Sequence, residues 1–403
     1  MKEIRRLGVV GAGTMGAGIA QVAGEAGLEV LLFDPVDGAT ARARDRVAGF
    51  LARKVAKGQS SGEDAAAALD RLQPIAELAG IAGADVVVEA VPEELDLKRS
   101  LFRDLDRLVA AEAILATNTS SLSIARIAAA TERPERVVGM HFFNPVPLMG
   151  LVEVIPGPMT APGLVDDVAL LARRLGKTPV VAADTPGFIV NRVQRALYLE
   201  AFRIHEEGLA DLAAIDQAMR QIGFRLGPFE LADVVGTDVN LAAGIAIFEG
   251  FYGDARYRPA QVQRRVVDAG RLGRKTGAGY YDYDADGTRG APWQALVRRP
   301  HGAPRLPSLE PAQIEARILA AIVNEAASAV ADGVAAPEAI DIAMRLASNW
   351  PDGPLAWGER IGLAPVVHTL DALHLAVSDG RYRVAPLLRA LSLAGGSFFR
   401  SPA

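Results

Sequence analysis

The sequence predicts an α/β domain built on a parallel sheet, followed by two all-α domains of which the second is a degraded copy of the first. Three observations predict it. Over the first 184 residues, continuous apolar runs alternate with longer stretches of helical spacing. After Gly187 the strand-like runs stop and helical periodicity takes over. From Pro311 onward, a set of residues recurs at a fixed offset from the preceding helical stretch.

In chain order, strands are expected at Ile4–Val10, Val30–Phe33, Asp85–Ala90, Ile114–Ala116, Val137–Phe142 and Pro179–Ala182. Helical segments such as Thr14–Ala26 and Leu95–Ala110 separate them. Fully apolar strands joined by helices imply a sheet covered on both faces. Asp184-Thr185-Pro186-Gly187 marks the end of this regime. The expected boundaries are 1–184 for the sheet domain, 185–284 for the first helical domain, 285–310 for a Pro/Gly/Arg/Asp-rich linker and 311–403 for the second helical copy. The copy rests on Arg192, Glu200, Asp216 and Met219, which recur 125 residues later as Arg317, Glu325, Asp341 and Met344. Gly227-Pro228 recurs one residue further on, as Gly353-Pro354. The sheet domain is present once, so one nucleotide site is expected.

At 403 residues the chain exceeds one ordinary domain, and its half-hydrophobic composition supplies a sizeable core. Lys and Arg number 43 against 48 Asp and Glu, which gives −5 and no electrostatic footprint for nucleic acid or an acidic membrane surface. There is no cysteine, so disulfides, thiolate metal sites and cysteine nucleophiles are excluded. Lys2, Arg5 and Arg6 precede a fairly apolar stretch, but Glu3, Thr14, Gln21 and six glycines between Gly8 and Gly24 make it a poor signal peptide. No uninterrupted apolar run reaches 18 residues, so no membrane span is expected, and the reading is a cytoplasmic protein.

The first chemical signal is Gly11-Ala12-Gly13-Thr14-Met15-Gly16, placed between a strand and a helix. Gly11 permits a tight turn, Gly13 lets the backbone approach a pyrophosphate, and Gly16 allows close helix–strand packing. Asp34 ends the next strand, 18 residues beyond Gly16, where a carboxylate can accept from a ribose 2′-hydroxyl. Its charge would repel a 2′-phosphate, so NAD is favoured over NADP. A Rossmann-like nucleotide domain follows from this context. Gly270–Thr276 superficially resembles a phosphate loop, but Arg274 precedes Lys275 where glycine is required.

Asn118-Thr119-Ser120-Ser121 follows a strand and is expected at the carboxyl edge of the sheet, where ligands bind in such folds. His141 and Glu153 lie in two apolar runs, each six residues from Pro147. Antiparallel pairing about Pro147 would set them opposite each other. A carboxylate beside an imidazole fixes its tautomer, which makes His141 a candidate general base. Asn191 lies in the first turns of the helix leaving the nucleotide domain; its counterpart in the copy is Ala316. No metal site is indicated.

Together with Thr117-Asn118-Thr119-Ser120-Ser121, His141-Phe142-Phe143-Asn144-Pro145, Asp184–Phe188 with Asn191, and Gly273-Arg274-Lys275-Thr276-Gly277, the glycine motif resembles the L-3-hydroxyacyl-CoA dehydrogenases from Ile4 to Tyr283. Members with a repeated carboxy-terminal domain match the duplication, and the helical domains are then of the 6-phosphogluconate-dehydrogenase-C-like type. The resemblance implies NAD-dependent oxidation of a 3-hydroxyacyl-CoA to the 3-ketoacyl-CoA, or the reverse. His141 would be the base, Glu153 its orienting partner, and Ser120 and Asn191 the groups holding the substrate oxygens. The resemblance also implies Glu93, Lys98 and Asn144 near the cofactor, with Met15 in its glycine loop. It assigns Lys54 to the CoA phosphates. Relatives usually carry lysine where this chain has Gly150, a departure expected to spare the chemistry and to alter either the pocket rim or a surface ion pair.

The nearest alternative is a dehydrogenase of free 3-hydroxy acids, of the carnitine or gulonate type. Those enzymes tend to have proline where this chain has Phe142, and they tend to lack the Arg274–Gly277 string. A redox-inert NAD-binding protein is a second alternative, against which the intact Ser120, His141, Glu153 and Asn191 set argues. Single-repeat relatives dimerise through the helical domain. The expectation here is therefore either a homodimer or a pseudo-dimeric monomer whose second repeat stands in for the partner. Acyl chain length and substituents are not legible in the motifs.

Overall fold

The computed structural model describes residues 3–297 and 307–399. They form two compact units, Met1–Phe188 and Ile189–Ala403.

The first unit carries an eight-stranded sheet. Its strands are β1 (Arg6–Val10), β2 (Glu29–Phe33), β3 (Leu72–Pro74), β4 (Val86–Glu89), β5 (Ile114–Thr117), β6 (Val137–Phe142), β7 (Leu151–Pro156) and β8 (Thr178–Val181). The order is β3-β2-β1-β4-β5-β6-β7-β8. Neighbours pair in parallel except β6 with β7, which are antiparallel. Every residue of β4, β5 and β6 is buried, as central strands covered on both faces must be. The covering helices are α1 (Thr14–Glu25), α2 (Ala39–Ala56), α3 (Gly62–Asp70), α4 (Leu95–Leu108), α5 (Ile124–Ala128) and α6 (Pro162–Arg174). The main core lies between sheet and helices, with Val9, Ile19, Leu32, Val88 and Val154 fully buried. Strand order reverses between β1 and β4, which opens a crevice at the carboxyl edge of the sheet. Strand β3 escapes sequence reading because it has three residues, ends in proline and lies at the edge.

The second unit is mainly helical: α7 (Val190–Glu206), α8 (Leu212–Gln221), α9 (Pro228–Val235), α10 (Thr237–Gly250) and α11 (Gln261–Asp268). The strands do not stop at Gly187, as the sequence reading expected. A hairpin of β9 (Tyr281–Tyr283) and β10 (Arg289–Pro292) turns at Gly287, whose φ of 76° suits glycine, and α12 (Gln294–Val297) follows. Part of the stretch read as linker is therefore regular structure, because Tyr281 and Tyr283 favour a strand; 298–306 lie outside the described residues.

The second copy comprises α13 (Pro311–Ala331), α14 (Pro337–Ser348), α15 (Pro354–Ile361), α16 (Leu363–Val377) and α17 (Pro386–Ala394). It repeats α7 to α11 element by element, and the residues marking the repeat explain why. In each copy a buried aspartate caps the third helix. Asp216 accepts from the amides of Phe229 and Glu230, and Asp341 from those of Leu355 and Ala356. The arginine–glutamate pairs are exchanged between copies across the α7–α13 packing. Arg192 binds Glu325 at 2.6 Å and Asp332 at 2.6 Å, while Arg317 binds Glu200 and, at 2.8 Å, Glu207. Tyr257 donates to Glu325, and its counterpart Tyr382 to Glu200. Such reciprocity is the signature of a two-fold interface, here made within one chain. Among the described residues no single helix is long and apolar enough to cross a membrane.

Candidate active site

Four loops leave the carboxyl ends of β1, β4, β5 and β6 side by side. The glycine loop comes first. Gly11 has φ +100°, and a Cβ there would lie 2.5 Å from the Ala90 carbonyl oxygen; at Gly16 it would lie 1.7 Å from the Gly11 oxygen. Gly13 has nothing within 4 Å of that position, so the turn presents open backbone. Helix α1 starts at Thr14 with no side chain on its first amides, which leaves donors and a positive dipole end for an anion. Met15 is half-buried in this turn. Asp34, at the end of β2, accepts from the Ala12 amide at 2.7 Å and the Val36 amide at 2.9 Å. These bonds hold the carboxylate beside the turn and leave it lone pairs for a ribose hydroxyl. The cradle fits a dinucleotide that lacks a 2′-phosphate.

The next two loops are tied together by a buried ionic network. Glu89 ends β4 and takes Lys98 of α4 at 2.7 Å and the Thr117 hydroxyl at 2.6 Å. Burial raises its proton affinity above the ordinary carboxylate range, against the pull of Lys98. Lys98 also lies 3.1 Å from Glu93. Glu93 in turn accepts from the Thr119 hydroxyl at 2.6 Å and the amides of Ser120 and Ser121 at 2.8 and 3.1 Å. Burial works to raise Glu93, but the charge of Lys98 and these donors outweigh it and hold the carboxyl below its usual range. Lys98 is thus a buried tie, 1% exposed, whose effect on the site passes through Glu93 and the Ser120 loop.

The last loop carries the acid–base pair. In the β6–β7 ladder His141 stands opposite Glu153, as the spacing about Pro147 requires. The imidazole Nδ1 lies 2.7 Å from a Glu153 carboxylate oxygen, with His141 6% and Glu153 0% exposed. With Nδ1–H donating to Glu153, Nε2 keeps its lone pair. The rings of Phe143 and Phe188, at 4.4 and 5.9 Å, wall the imidazole. Asn118 Oδ1 accepts the Phe142 amide at 2.8 Å and so fastens the β5 loop to the strand carrying His141. Asp184 accepts from Ser123, Ile124 and Ala125, which anchors the start of α5 directly after the serine loop. The positioning work of Glu89, Asn118 and Asp184 escaped sequence reading. Asn118 and Asp184 were visible there as motif members, but nothing in the spacing says which side chain bonds which amide.

The other expected residues divide. Asn144 is exposed beyond β6, next to Pro145. Lys54 of α2 pairs with Glu25 at 2.7 Å, both partly exposed. Lys177 donates to the carbonyls of Val146 and Met149 at 2.6 and 2.8 Å, strapping the turn that ends at Gly150; burial lowers its proton affinity. Asn191 stands in the first turn of α7, in the second unit. Among the described residues no group of three or more His, Asp or Glu could hold a metal ion.

Comparison with known proteins gives the family. The model of the 3-hydroxyacyl-CoA dehydrogenase NAD binding domain matches residues 6–185, and that of the 3-hydroxyacyl-CoA dehydrogenase C-terminal domain matches 187–283 and again 314–397. The chain belongs to the 3-hydroxyacyl-CoA dehydrogenase family. This dehydrogenase is 38% identical to the 3-hydroxyadipyl-CoA dehydrogenase of Escherichia coli K12, with 98% of each chain covered. It is 42% identical to a probable 3-hydroxybutyryl-CoA dehydrogenase of Bacillus subtilis, over 70% of this chain and 98% of the relative. A crystal structure of 3-hydroxybutyryl-CoA dehydrogenase from E. coli K12 superposes with a TM-score of 0.89 at 36% identity, covering 97% of this chain and 99% of that one. The chain is therefore an NAD-dependent oxidoreductase acting on 3-hydroxyacyl-CoA, with a Rossmann-like domain and helical carboxy-terminal domains.

Proposed function

We propose that the dehydrogenase oxidises (S)-3-hydroxyacyl-CoA thioesters reversibly to 3-ketoacyl-CoA in acyl-CoA degradation of the β-oxidation type, in the cytoplasm. His141, Glu153, Ser120 and Asn191 carry the chemistry. The observation that carries this reading is the buried His141–Glu153 pair at 2.7 Å, on the same sheet edge as the glycine loop.

His141 Nε2 takes the proton of the 3-hydroxyl, while Glu153 holds the Nδ1 proton and stabilises the imidazolium that forms. Positioned acid–base help of this kind contributes roughly 100- to 10,000-fold. Ser120 and Asn191 donate to the substrate oxygens and fix the orientation of C3, which supplies much of the remaining acceleration. Bound NAD would supply the hydride acceptor for C3. Gly11, Gly13, Met15 and Gly16 would hold its pyrophosphate and Asp34 its ribose. Glu93 and Lys98 would set the Ser120 loop against it, and Asn144 would lie near its nicotinamide. In the reductive direction His141 returns the proton. Lys54 addresses the CoA phosphates, exchanging its partly exposed partner Glu25 for them. The second helical repeat takes the place of a dimer partner, a reading supported by the reciprocal Arg192–Glu325 and Arg317–Glu200 pairs.

The test is NADH consumption with acetoacetyl-CoA and a free 3-keto acid side by side. Rapid turnover of the thioester alone is expected. Turnover of the free acid alone would move the chain to the carnitine or gulonate type and make the assignment of Lys54 wrong.

A further inference from the structure

Tying the β4 and β5 loops together needs no charge, yet the tie is built on Glu89. This residue ends β4 at the centre of the sheet, in register with Val10 and Thr117. Val86, Val87 and Val88 precede it, and all four are 0% exposed. Another apolar residue would complete such a strand without the cost of desolvating a carboxylate. A buried ion pair is weak evidence of a stabilising role, because apolar residues of similar volume often serve a fold as well. The charge calls for another explanation.

The bonds around Glu89 are those of an ionised group. One oxygen accepts from the Val91 amide and from Lys98, both at 2.7 Å, and the other from the Thr117 hydroxyl at 2.6 Å. Thr117 in turn accepts the Thr119 amide at 3.2 Å, and the Thr119 hydroxyl donates to Glu93. Glu89, Thr117, Thr119, Glu93 and Lys98 thus form a closed circuit. Lys98 lies 2.7 Å from Glu89 and 3.1 Å from Glu93, and among the described residues it is the one cation within ion-pair distance of either. Two carboxylates share one ammonium, which leaves the circuit with a net charge of −1. A single carboxylate would have left it neutral.

The position of the circuit says which charge it meets. Asp34 at the end of β2 marks the adenosine half of the crevice, and the glycine loop after β1 marks the pyrophosphate. In a doubly wound sheet the remaining half, over β4 and β5, takes the nicotinamide. The circuit reaches the surface there, since the Glu93 side chain is 37% exposed. Nicotinamide is cationic when oxidised and neutral when reduced. A fixed negative charge beside it distinguishes the two states, and burial of Glu89 limits screening by salt. On the reading above, in which His141 takes the hydroxyl proton, oxidation of the substrate carries one positive charge from the nicotinamide to the imidazole. The hydride neutralises the first and the proton charges the second. Glu153 favours the arrangement after transfer; Glu89 favours the one before it.

We infer that the uncompensated charge of Glu89 weights the site toward the oxidised cofactor, so that NAD+ is held more tightly relative to NADH than the same fold with a neutral circuit would hold it. The inference rests on Glu93 and Lys98 lying beside the cofactor, as read above.

The experiment measures Kd for NAD+ and for NADH by calorimetry on the full chain, without acyl substrate, and follows their ratio. Glutamine at position 89 can keep Val91 and Lys98 on its oxygen and offer Thr117 an N–H. Glu89→Gln should raise Kd(NAD+)/Kd(NADH) by about four- to fifteenfold, the worth of one charge felt across about 10 Å at an effective dielectric of about 20 to 40. Kd for NADH should stay within about twofold of native. Adding Lys98→Met leaves Glu93 alone and restores the net charge, so the ratio should return to within about twofold of native. A purely structural tie, loosened twice, would instead weaken both nucleotides further. A ratio unchanged in Glu89→Gln, or moved further from native by the double variant, would overturn the inference. If Glu89→Gln fails to fold, Glu93→Gln, which neutralises the circuit, is compared with the double variant, which does not; equal ratios in those two would overturn it. Inactivity of the native chain with acetoacetyl-CoA would bring down the proposed chemistry and leave these ratios, read without substrate, to decide the role of Glu89.

Discussion

Replacing Glu153 by glutamine keeps the volume of the side chain and one acceptor oxygen but removes the charge that faces the imidazole. The pair is enclosed, with the carboxylate at 0% exposure and 2.7 Å from Nδ1, so water cannot substitute for it. At an effective dielectric of about 20, an ion pair at about 4 Å is worth about 4 kcal/mol, which bounds the loss from above. A hydrogen bond to a charged group contributes about 1.5–3 kcal/mol net, and this estimate governs because glutamine still offers a dipole. The expected fall in kcat/KM is therefore about ten- to a hundredfold. If the amide turns its NH2 toward Nδ1, Nε2 must carry the ring proton, and the loss lies at the upper end. The assay is NADH oxidation with acetoacetyl-CoA under subsaturating conditions, alongside a fluorescence titration of NADH binding. Activity within about threefold of the native enzyme would refute the role given to Glu153. An equal loss of NADH affinity would mean that the substitution acts on the nucleotide loops rather than on proton transfer.

Gly16→Ala places a methyl 1.7 Å from the Gly11 carbonyl oxygen, so the glycine loop must move; NADH affinity should fall at least about tenfold, and an unchanged Kd would contradict the cradle described above. Arg317→Leu removes the nearest cation from the fully buried Glu200, which keeps the Tyr382 hydroxyl at 2.9 Å and Arg203 at 3.5 Å, and should destabilise the helical unit by at most about 3–5 kcal/mol, with a second change, Glu200→Leu, restoring part of it; thermal unfolding of the single and double variants checks both halves. Burial pushes Asp216 up to about 7 against the pull of its helix-amide donors. Its folded pKa thus exceeds the unfolded 3.8, so its contribution to stability is full below 3.8 and is lost as the pH rises through about 7. Asp216→Asn should therefore gain on the native protein from pH 5 to pH 8, by at most about 1.4 kcal/mol per pH unit, and parallel pH profiles would show that the aspartate does not titrate in that range.

The parts of the fold and site legible in the sequence are those set by local pattern. Buried parallel strands must be continuously apolar, so β1, β4, β5 and β6 stood out, whereas β3, a short edge strand ending in Pro74, did not. His141 and Glu153 could be paired before any coordinates because a ladder fixes partners by arithmetic, and both lie six residues from Pro147. Lys98 shows where this kind of reading ends. Its place in a motif cannot distinguish a lysine facing the cofactor from one buried between Glu89 and Glu93. Arg192 and Glu200 are a further case. As letters they mark a repeat, and their exchange of partners with Arg317 and Glu325 depends on how α7 and α13 pack, which no local spacing encodes. The β9–β10 hairpin was hidden by the Gly- and Asp-rich turn that makes it possible.

The central claim is that His141 moves the proton. His141→Gln, assayed by NADH oxidation with acetoacetyl-CoA and by NADH binding, tests it directly. The account predicts a fall in kcat of at least about a thousandfold, within the range of positioned acid–base catalysis, with NADH affinity kept within about twofold. A variant that binds NADH normally and retains a tenth or more of the native turnover would contradict it.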